Sequence, residues 1–590
     1  MTERDAPSEI RRGRRALEGM SNVEMTGPLA FHEGEGCWYI PLRLTIADST
    51  AHVPSQTMWF ALLEPEYPSG RVHLLPARVG GLVANFRHME NNLDGSGEWR
   101  LGSPCLDRPG RWLGSRDLVF QPTSADELLR WHVERALEWL SAAARNQLTD
   151  VSEPFELPPF DIGGSTFGFD EDAAGLKAWT GLFGRAGNAI VKSIKDGLFV
   201  AYAMRKGNAF VNEPRWGRRL AKNQNIVPAF WLALNDVPVT APWNTPRTWG
   251  EMREICRVQK VDLEGRLKWM YHHLRSSNAF AISWLLVGFP IPDVYDGPAM
   301  RMHWQPIRLQ PPIDIEKRAF NVRKGRHASD AAWTFERAHY FSDSHRIDWH
   351  SAEPWSEERL RVRGSVSERL RTARVLLIGA GALGGCLADL LIRAGVRDMI
   401  VSDGEMTEVG NLRRHVLTLD SVKVKKAQAL EKQLNSASVF ADVQGIFEFP
   451  NGLGKLREAA SAAEIVIDCT ALDEVALKLA TFPWAAESRW FFSGSLGVDA
   501  RRLFCYAAHD RTFPVSDFLD AVGPFVDEER SLLEKRDPFS MQGAGCWNPV
   551  FPARWDDIVS LAARMLRIID ASVSQQVMTP ELHVVNVANA

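Results

Sequence analysis

The chain has 590 residues, of which 45% are hydrophobic, and its 69 basic and 73 acidic side chains leave a formal net charge of −4. So small a charge provides no overall field for nucleic acid, and the longest apolar run, residues 279–292, is too short and broken to span a bilayer. Seven scattered cysteines and the absence of an apolar signal region predict a cytoplasmic protein with neither a membrane nor a nucleic-acid partner.

Residues 1–150 are predicted to form one α+β domain. Its charged start, Arg11–Arg15, is expected to be a frayed terminus. A helix is predicted within Ala125–Asn146, where Leu128, Leu129 and Leu140 recur at helical spacing. Three short strands are predicted before it: Trp38–Ile46, Thr57–Leu63 and Val72–Leu75.

Residues 151–354 contain no recognisable chemical motif. Prolines and glycines predict a linker over Val151–Gly175. Beyond it, tryptophan-rich strands and helices are expected, including Phe230–Leu234 and Ala279–Val287. This middle domain is a spacer, a scaffold or a partner-recognition domain, and the sequence does not choose among them.

Residues 355–590 contain the most informative stretch. Ala373–Ile378 reads as a strand, a glycine turn follows with Gly379, Gly381 and Gly384, and a helix opens at Leu383. Amide groups at such a turn and the helix N-terminus bind phosphate. A second strand, Met399–Ser402, leads to Asp403, whose carboxylate is placed to accept from ribose hydroxyls. A dinucleotide oxidoreductase also fits this pattern.

A cationic stretch decides between the nucleotides. Asn411–Arg414 and the lysines Lys423, Lys425 and Lys426 follow the second strand. Fixed cations suit a triphosphate whose departing pyrophosphate must be neutralised, whereas hydride transfer needs no such charge. The sequence therefore favours ATP.

From about Trp355 onward these motifs resemble the ThiF/MoeB-type adenylyltransferases, which join a protein's C-terminal carboxylate to the α-phosphorus of ATP. The resemblance implies a Rossmann-like α/β fold, with Asp403 on the ribose and Lys426, or its competitor Lys425, on the leaving group. It further implies Mg²⁺ on Asp468 or Asp473, because the family's Asp-Cys-Thr-Asp reads Asp-Cys-Thr-Ala at 468–471. Asn411 and Arg414 are the expected phosphate ligands. No zinc site is expected, because paired Cys-x-x-Cys motifs are absent from the sequence.

Roughly residues 20–150 resemble a ubiquitin-conjugating domain, with Cys105 in a glycine- and proline-containing loop that is expected to be exposed. The usual His-Pro-Asn is missing, and His88–Asn91 is its nearest remnant. A second exposed thiol, Cys546, is expected between glycines and a proline-bearing turn.

Residues 20–150 and the region from about Trp355 onward together resemble the CD-NTase-associated conjugation proteins of bacterial anti-phage (CBASS) operons. The resemblance implies that the C-terminus of a cyclic-oligonucleotide synthase (CD-NTase) is adenylated, carried as a thioester on Cys546 and then Cys105, and ligated to a target amine. A homodimer is expected by the same analogy. Arg361 and Arg363 would then either reach the ATP bound by the other subunit or lie on a solvated helix. Three alternatives stay open: an adenylyltransferase for a ubiquitin-like or sulfur-carrier protein, an oxidoreductase, and a nucleotide-gated scaffold without transfer activity.

Overall fold

The computed structural model describes residues 3–106, 121–149, 153–314, 326–448, 456–457, 460–534, 541–542, 548–549, 551–575 and 579–587. It divides into two compact units, one of Met1–Glu213 with Ile226–Pro354 and one of Pro214–Asn225 with Trp355–Ala590. The N-terminal and middle regions therefore share one unit. Among the described helices, none combines the length and apolar character that a bilayer crossing requires.

The N-terminal region is an antiparallel sheet with helices packed against it. A 3-10 turn at Glu3–Asp5 opens the chain, and the sheet order is β1-β3-β4-β5 with β2 paired to β3. The predicted helix and the three predicted strands are confirmed as α2 and β3 to β5. The bounds are α1 Ser8–Ala16, β1 Val23–Met25, β2 Ala30–His32, β3 Cys37–Thr45, β4 Gln56–Leu63, β5 Val72–Pro76 and α2 Ala125–Ala144.

The expectation of a frayed terminus at Arg11–Arg15 is wrong. These residues lie in α1, where Ile10 is 0% exposed and Leu17, directly after the helix, is 1% exposed. The two apolar side chains are seven residues apart and so share one face, which packs into the domain core. Arg12 pairs with Asp126 of α2 at 2.6 Å. Four arginines stand between the two apolar positions in the sequence and hid this periodicity.

The middle region forms an eight-stranded sheet ordered β6-β13-β12-β11-β10-β7-β8-β9, which a further pairing of β6 with β8 closes on itself. The linker predicted over Val151–Gly175 is wrong in part, because it contains β6. Tryptophans 179, 231, 284 and 304 share one of its cores. The bounds are β6 Ile162–Phe169, α3 Leu176–Trp179, β7 Ala186–Lys195, β8 Leu198–Lys206, β9 Ala209–Asn212, α4 Arg218–Lys222, β10 Ile226–Ala233, α5 Trp249–Val258, α6 Leu263–Ser276, β11 Ser283–Pro292, β12 Ala299–Leu309, α7 Arg326–Tyr340 and β13 Trp349–Pro354.

The helix α4 belongs to the second unit. Trp216, just before it, stacks on Phe440 with 5.6 Å between ring centroids. Arg218 pairs with Asp442 at 2.6 Å, and the N–H of Gly217 donates to the carbonyl oxygen of Val439. The middle region thus contributes twelve residues, Pro214–Asn225, to the second unit.

The second unit is a seven-stranded sheet ordered β16-β15-β14-β17-β18-β19-β22, with the first five strands parallel. Its 3-10 turns are Val409–Arg414, Leu419–Ser421 and Val498–Ala500. The bounds are α8 Glu357–Arg361, α9 Glu368–Thr372, β14 Val375–Ile378, α10 Ala382–Arg393, β15 Asp398–Ser402, α11 Lys426–Ala437, β16 Asp442–Ile446, β17 Ile465–Asp468, α12 Asp473–Thr481, β18 Arg489–Leu496, β19 Arg502–Asp510, α13 Val515–Glu534, β20 Met541–Gln542, β21 Asn548–Pro549, α14 Trp555–Gln575 and β22 Glu581–Asn586.

This strand order confirms the Rossmann-like prediction and locates the ligand crevice. The chain leaves β14 toward β15 on one side and later returns to β17 on the other. Such a switch point opens a crevice at the carboxyl ends of the strands, where doubly wound sheets bind nucleotides. The glycine turn between β14 and α10 lies at this crevice.

Candidate active site

The three glycines of the turn have different roles. Gly379 has a φ of +88°, and a Cβ there would lie 2.9 Å from Cγ2 of Thr470. A Cβ on Gly384 would lie 1.9 Å from the carbonyl oxygen of Gly379, so helix and turn pack closely only with glycine. A Cβ on Gly381 would meet nothing within 4 Å. The space in front of the N-terminus of α10 is therefore open, as phosphate binding requires.

Asp403 braces this turn from behind. Its Oδ2 accepts the N–H of Ala380 and its Oδ1 accepts the N–H of Glu405, both at 2.7 Å. The side chain is buried. Burial raises the pKa of the carboxyl, although the hydrogen bonds from the two backbone N–H groups oppose that rise. The structure thus gives Asp403 a bracing role, and its contact with ribose stays a prediction.

His415 braces the turn from the other side, and the sequence analysis missed it. Its Nε2–H donates to the carbonyl oxygen of Ala380 at 2.7 Å, while Nδ1 accepts the N–H of Leu417 at 3.1 Å. This pairing requires the neutral ring, and burial lowers the pKa of the imidazole accordingly. The only sequence signal was its position directly after Arg413 and Arg414.

A cavity of about 330 Å³ opens in front of the turn, and it brings several predicted residues together. The Lys426 amino group pairs with the Glu405 carboxylate and keeps only 7% of its side chain exposed. Arg414 donates to the carbonyl oxygen of Phe551. The helix N-terminus and the two cations give this cavity donors of the kind that bind anions, with Glu405 as the one carboxylate in its described wall. The described wall comprises residues 381–383, 405, 411, 414, 415, 426, 469, 471, 494–496 and 551.

Asn411 also lines this cavity, whereas Lys425 does not. Asn411 uses its Oδ1 to accept the N–H of Glu408 at 2.8 Å, and so caps the 3-10 turn that carries Arg414. Lys425 points its amino group at the ring of Phe447, 4.1 Å from the centroid. Of the two competing lysines, Lys426 is the one in the cavity wall.

An adjoining cavity of about 420 Å³ shares Ala471, Ser495, Leu496 and Phe551 with the first. Both candidate magnesium ligands line it. Asp468 is 2% exposed, and its Oδ1 accepts the N–H and the hydroxyl of Thr470 at 2.9 and 2.7 Å. Burial raises the pKa of this carboxyl to about 6. Asp473, the first residue of α12, is exposed.

The thiols differ sharply in accessibility. Burial raises the pKa of Cys386 and Cys505 to about 12, so both are inert core residues. Cys546 lies outside the described residues. Cys105 is exposed, while its neighbours Pro104 and Leu106 point inward. Within the described parts of the chain, no group of three or more His, Cys, Asp or Glu side chains is placed to hold a metal ion.

Residues 88–90, part of the segment that is expected to stand in for His-Pro-Asn, lie beside Cys105 in the structure. The N–H of Cys105 donates to the carbonyl oxygen of His88 at 2.7 Å, and that of Glu90 donates to the carbonyl oxygen of Ser103 at 2.9 Å. The middle region holds His88 in turn, since Glu156 accepts its N–H at 2.8 Å and Glu153 Oε2 lies 3.1 Å from its Nε2. The middle region therefore helps to position the Cys105 loop.

Comparison with known proteins identifies the class and then the family. The sequence model of the ThiF family matches residues 356–517, so the C-terminal half is a ThiF-type adenylation domain. The sequence model of the Cap2 central linker domain matches residues 146–355. The ATP-dependent ubiquitin transferase-like protein Cap2 of Enterobacter hormaechei is 30% identical over 541 residues, which cover 89% of this chain and 88% of that protein. The chain belongs to the Cap2 family, and the resemblance to CBASS conjugation proteins is confirmed.

Other relatives and solved structures match smaller parts of the chain. The sulfur carrier protein ThiS adenylyltransferase of Bacillus subtilis is 42% identical over 85 residues, 14% of this chain and 25% of that protein. Among solved structures, Escherichia coli MccB with AMPCPP and MccA is 14% identical, with a TM-score of 0.28 over 45% of this chain and 80% of that one.

Proposed function

We propose that the glycine-turn cavity joins the C-terminal carboxylate of a partner protein to the α-phosphorus of ATP, releasing pyrophosphate. The observation that carries this proposal is the pair Lys426 and Arg414 beside an open helix N-terminus. Attack of a carboxylate on the α-phosphorus breaks the phosphoanhydride bond to the β-phosphate, so the phosphate charge near the attacking anion and on the departing pyrophosphate must be neutralised. The Cap2 relative is named ATP-dependent, which accords with this choice of nucleotide.

Asp468 fits a magnesium ion better than Asp473. The Asp468 carboxylate is almost fully buried, and burial raises its pKa. Both hydrogen bonds that it accepts from the described residues come from Thr470. A divalent cation compensates such a buried charge. When bound, magnesium neutralises phosphate charge at the site. The chain's own residues then hold and orient the nucleotide: the turn amides and Arg414 bind phosphate oxygens, and Lys426 stabilises the leaving group.

The activated carbonyl then passes to sulfur. Cys546 attacks the acyl adenylate, so that a C–S bond forms as AMP leaves, and Cys105 takes the acyl group by thioester exchange. Exchange between thioesters is nearly isoenergetic, so the protein contributes mainly positioning. The exposure of Cys105 supports its part in this path.

The partner we propose is the cyclic-oligonucleotide synthase (CD-NTase) of a CBASS operon, and the final acceptor is an amine of a target protein. Membership of the Cap2 family supports this choice. A homodimer through the adenylation half belongs to the same proposal. The Cap2 relative is described as ubiquitin transferase-like, which accords with transfer to an amine.

The experiment follows each covalent state separately. The protein is incubated with ATP, Mg²⁺ and the synthase, and thioesters are resolved on gels without reductant. We expect a thioester on both cysteines in the wild type, on Cys546 alone in Cys105→Ala, and on neither in Cys546→Ala. Pyrophosphate exchange should persist in both variants. A conjugate that forms without Cys105 contradicts the relay, and exchange that does not depend on the synthase contradicts the proposed substrate.

A further inference from the structure

Cys105 lies on a two-stranded ribbon whose register is fixed. Met89 forms an antiparallel bridge with Pro104, and hydrogen bonds flank it on either side, from Cys105 to His88 and from Glu90 to Ser103. Residues directly opposite each other in such a ribbon point to the same face. Glu90 is therefore opposite Ser103, whereas His88, opposite Cys105, has a φ of +54° and directs its ring to Glu153 and Glu156.

Burial shows which face is which. Met89, Pro104 and Leu106 are buried, whereas Glu90 and Cys105 are exposed. Glu90 and Cys105 thus point to the same outer face, on opposite strands and two positions apart. Such diagonal neighbours lie about 7–8 Å apart, within the reach of a glutamate side chain.

Both residues also line one cavity, next to the turn at Pro68 and to β5. The titratable groups that face Glu90 there are Arg71 and His73 from the β5 side, Cys105 from the loop and His132 from α2. His132 is 6% exposed, and its Nδ1–H donates to the carbonyl oxygen of Leu128 at 2.9 Å. Glu90 is the one carboxylate in the described wall of this cavity.

We propose that Glu90 is the proton acceptor for the amine that attacks the thioester on Cys105. This role rests on the proposed function and deepens it, since it specifies a primary alkylamine as the acceptor. The amine arrives as an ammonium ion and gives one proton to the Glu90 carboxylate. Its nitrogen then attacks the thioester carbon, so that the C–N bond forms as the C–S bond breaks. The departing thiolate takes the second proton from nitrogen, and Glu90 later releases its proton to water.

The chemistry explains why a carboxylate belongs at this position. An anion attracts an ammonium ion and then removes the proton that blocks the nitrogen lone pair. The bond between Glu90 N–H and Ser103 holds the backbone of the acceptor residue against the loop of the reacting sulfur. General-base assistance of this kind contributes about 10²–10⁴-fold in rate.

The test isolates the discharge step in the full-length protein. Cys105 is acylated with a synthetic peptide that carries a C-terminal thioester, which bypasses ATP, and Cys105→Ala shows how much label resides elsewhere. Discharge is then followed with free lysine and with hydroxylamine, which is uncharged at neutral pH and needs no base. The variants are Glu90→Gln, Glu90→Asp, His73→Gln and, as a matched exposed glutamate, Glu98→Gln.

We expect Glu90→Gln to discharge lysine about 100-fold more slowly at pH 7, with hydroxylamine discharge and acylation unchanged. Its rate with lysine should keep rising with pH after that of the wild type levels off, and Glu90→Asp should recover part of the loss. This role would be overturned if Glu90→Gln discharged lysine as fast as the wild type, or if it lost the same factor with lysine and with hydroxylamine. It would also be overturned if His73→Gln, and not Glu90→Gln, showed the selective loss with lysine. If Cys105→Ala takes up as much label as the wild type, Cys105 does not accept the acyl group, and its part in the proposed relay is overturned.

Discussion

The backbone N–H of Cys105 donates to the carbonyl oxygen of His88 at 2.7 Å, so the proposed nucleophile is hydrogen-bonded to the segment that is expected to stand in for His-Pro-Asn. His88 has a φ of +54°, which is uncommon for a residue with a Cβ. Contacts from Glu153 and Glu156 help to stabilise that conformation. The middle region thus directly contacts the segment beside Cys105.

This relationship predicts the effect of the double variant Glu153→Gln, Glu156→Gln. The two amides keep acceptor oxygens but lose the negative charge that strengthens both contacts, which should loosen the ribbon by about 1–2 kcal/mol, so the amide of Cys105 should exchange hydrogen about tenfold faster. Hydrogen exchange read by mass spectrometry measures this directly, with Glu98→Gln as the control. Unchanged exchange at Cys105 would show that the middle region does not hold the loop.

Two neighbouring glycines should respond oppositely to alanine. Gly384→Ala places a Cβ 1.9 Å from a backbone oxygen and should destabilise the protein by about 2–3 kcal/mol or more. Gly381→Ala meets no atom of the protein within 4 Å, so stability should stay within about 0.5 kcal/mol. The new methyl group nevertheless enters the nucleotide space. Calorimetry should therefore show unchanged unfolding for Gly381→Ala and ATP binding weakened at least about tenfold. Normal ATP binding by Gly381→Ala would place the nucleotide elsewhere.

The two lysines should separate in pyrophosphate exchange. Lys426 is in the cavity wall, and Lys425 lies over the ring of Phe447. Removing a cation that stabilises the leaving group costs about 10²–10³-fold, so Lys426→Ala should lose that much exchange. Lys425→Ala should lose less than about fivefold. The reverse ranking would assign the catalytic role to Lys425.

Asp468 should make stability depend on pH. Its pKa is raised from 3.8 to about 6, so the folded protein holds a proton that the unfolded chain releases above pH 4. Stability therefore falls as the pH rises from about 4 to about 6 and levels off above that, with a total loss on the order of 3 kcal/mol that is fully present at pH 8. Asp468→Asn keeps an acceptor for Thr470 and removes this cost.

Unfolding in urea, without nucleotide or magnesium, measures the effect. Asp468→Asn should gain stability over the wild type at pH 8 and lose that advantage by pH 4, while exchange activity falls. The exposed Asp473→Asn provides the matched control for stability and should show no such pH dependence. A constant difference between Asp468→Asn and the wild type across this range would contradict the buried charge.

The sequence predicted what periodicity and glycine spacing encode. The strand, turn and helix from β14 to α10 and the meander from β3 to β5 follow local patterns that the fold preserves. The closed middle sheet was missed because its pairings, such as β6 with β8, join segments that no local pattern connects. His415 and Glu90 were missed as site residues for the same reason, since their roles arise from neighbours distant in sequence or across a ribbon.

The most direct measurement uses synthase whose C-terminal carboxylate carries ¹⁸O. A carboxylate that attacks the α-phosphorus transfers one of its oxygens to AMP when the acyl group moves on to sulfur. Mass spectrometry should find one ¹⁸O in AMP and none in pyrophosphate. Label in phosphate or pyrophosphate, or AMP released without label, would contradict activation of a carboxyl terminus in the glycine-turn cavity.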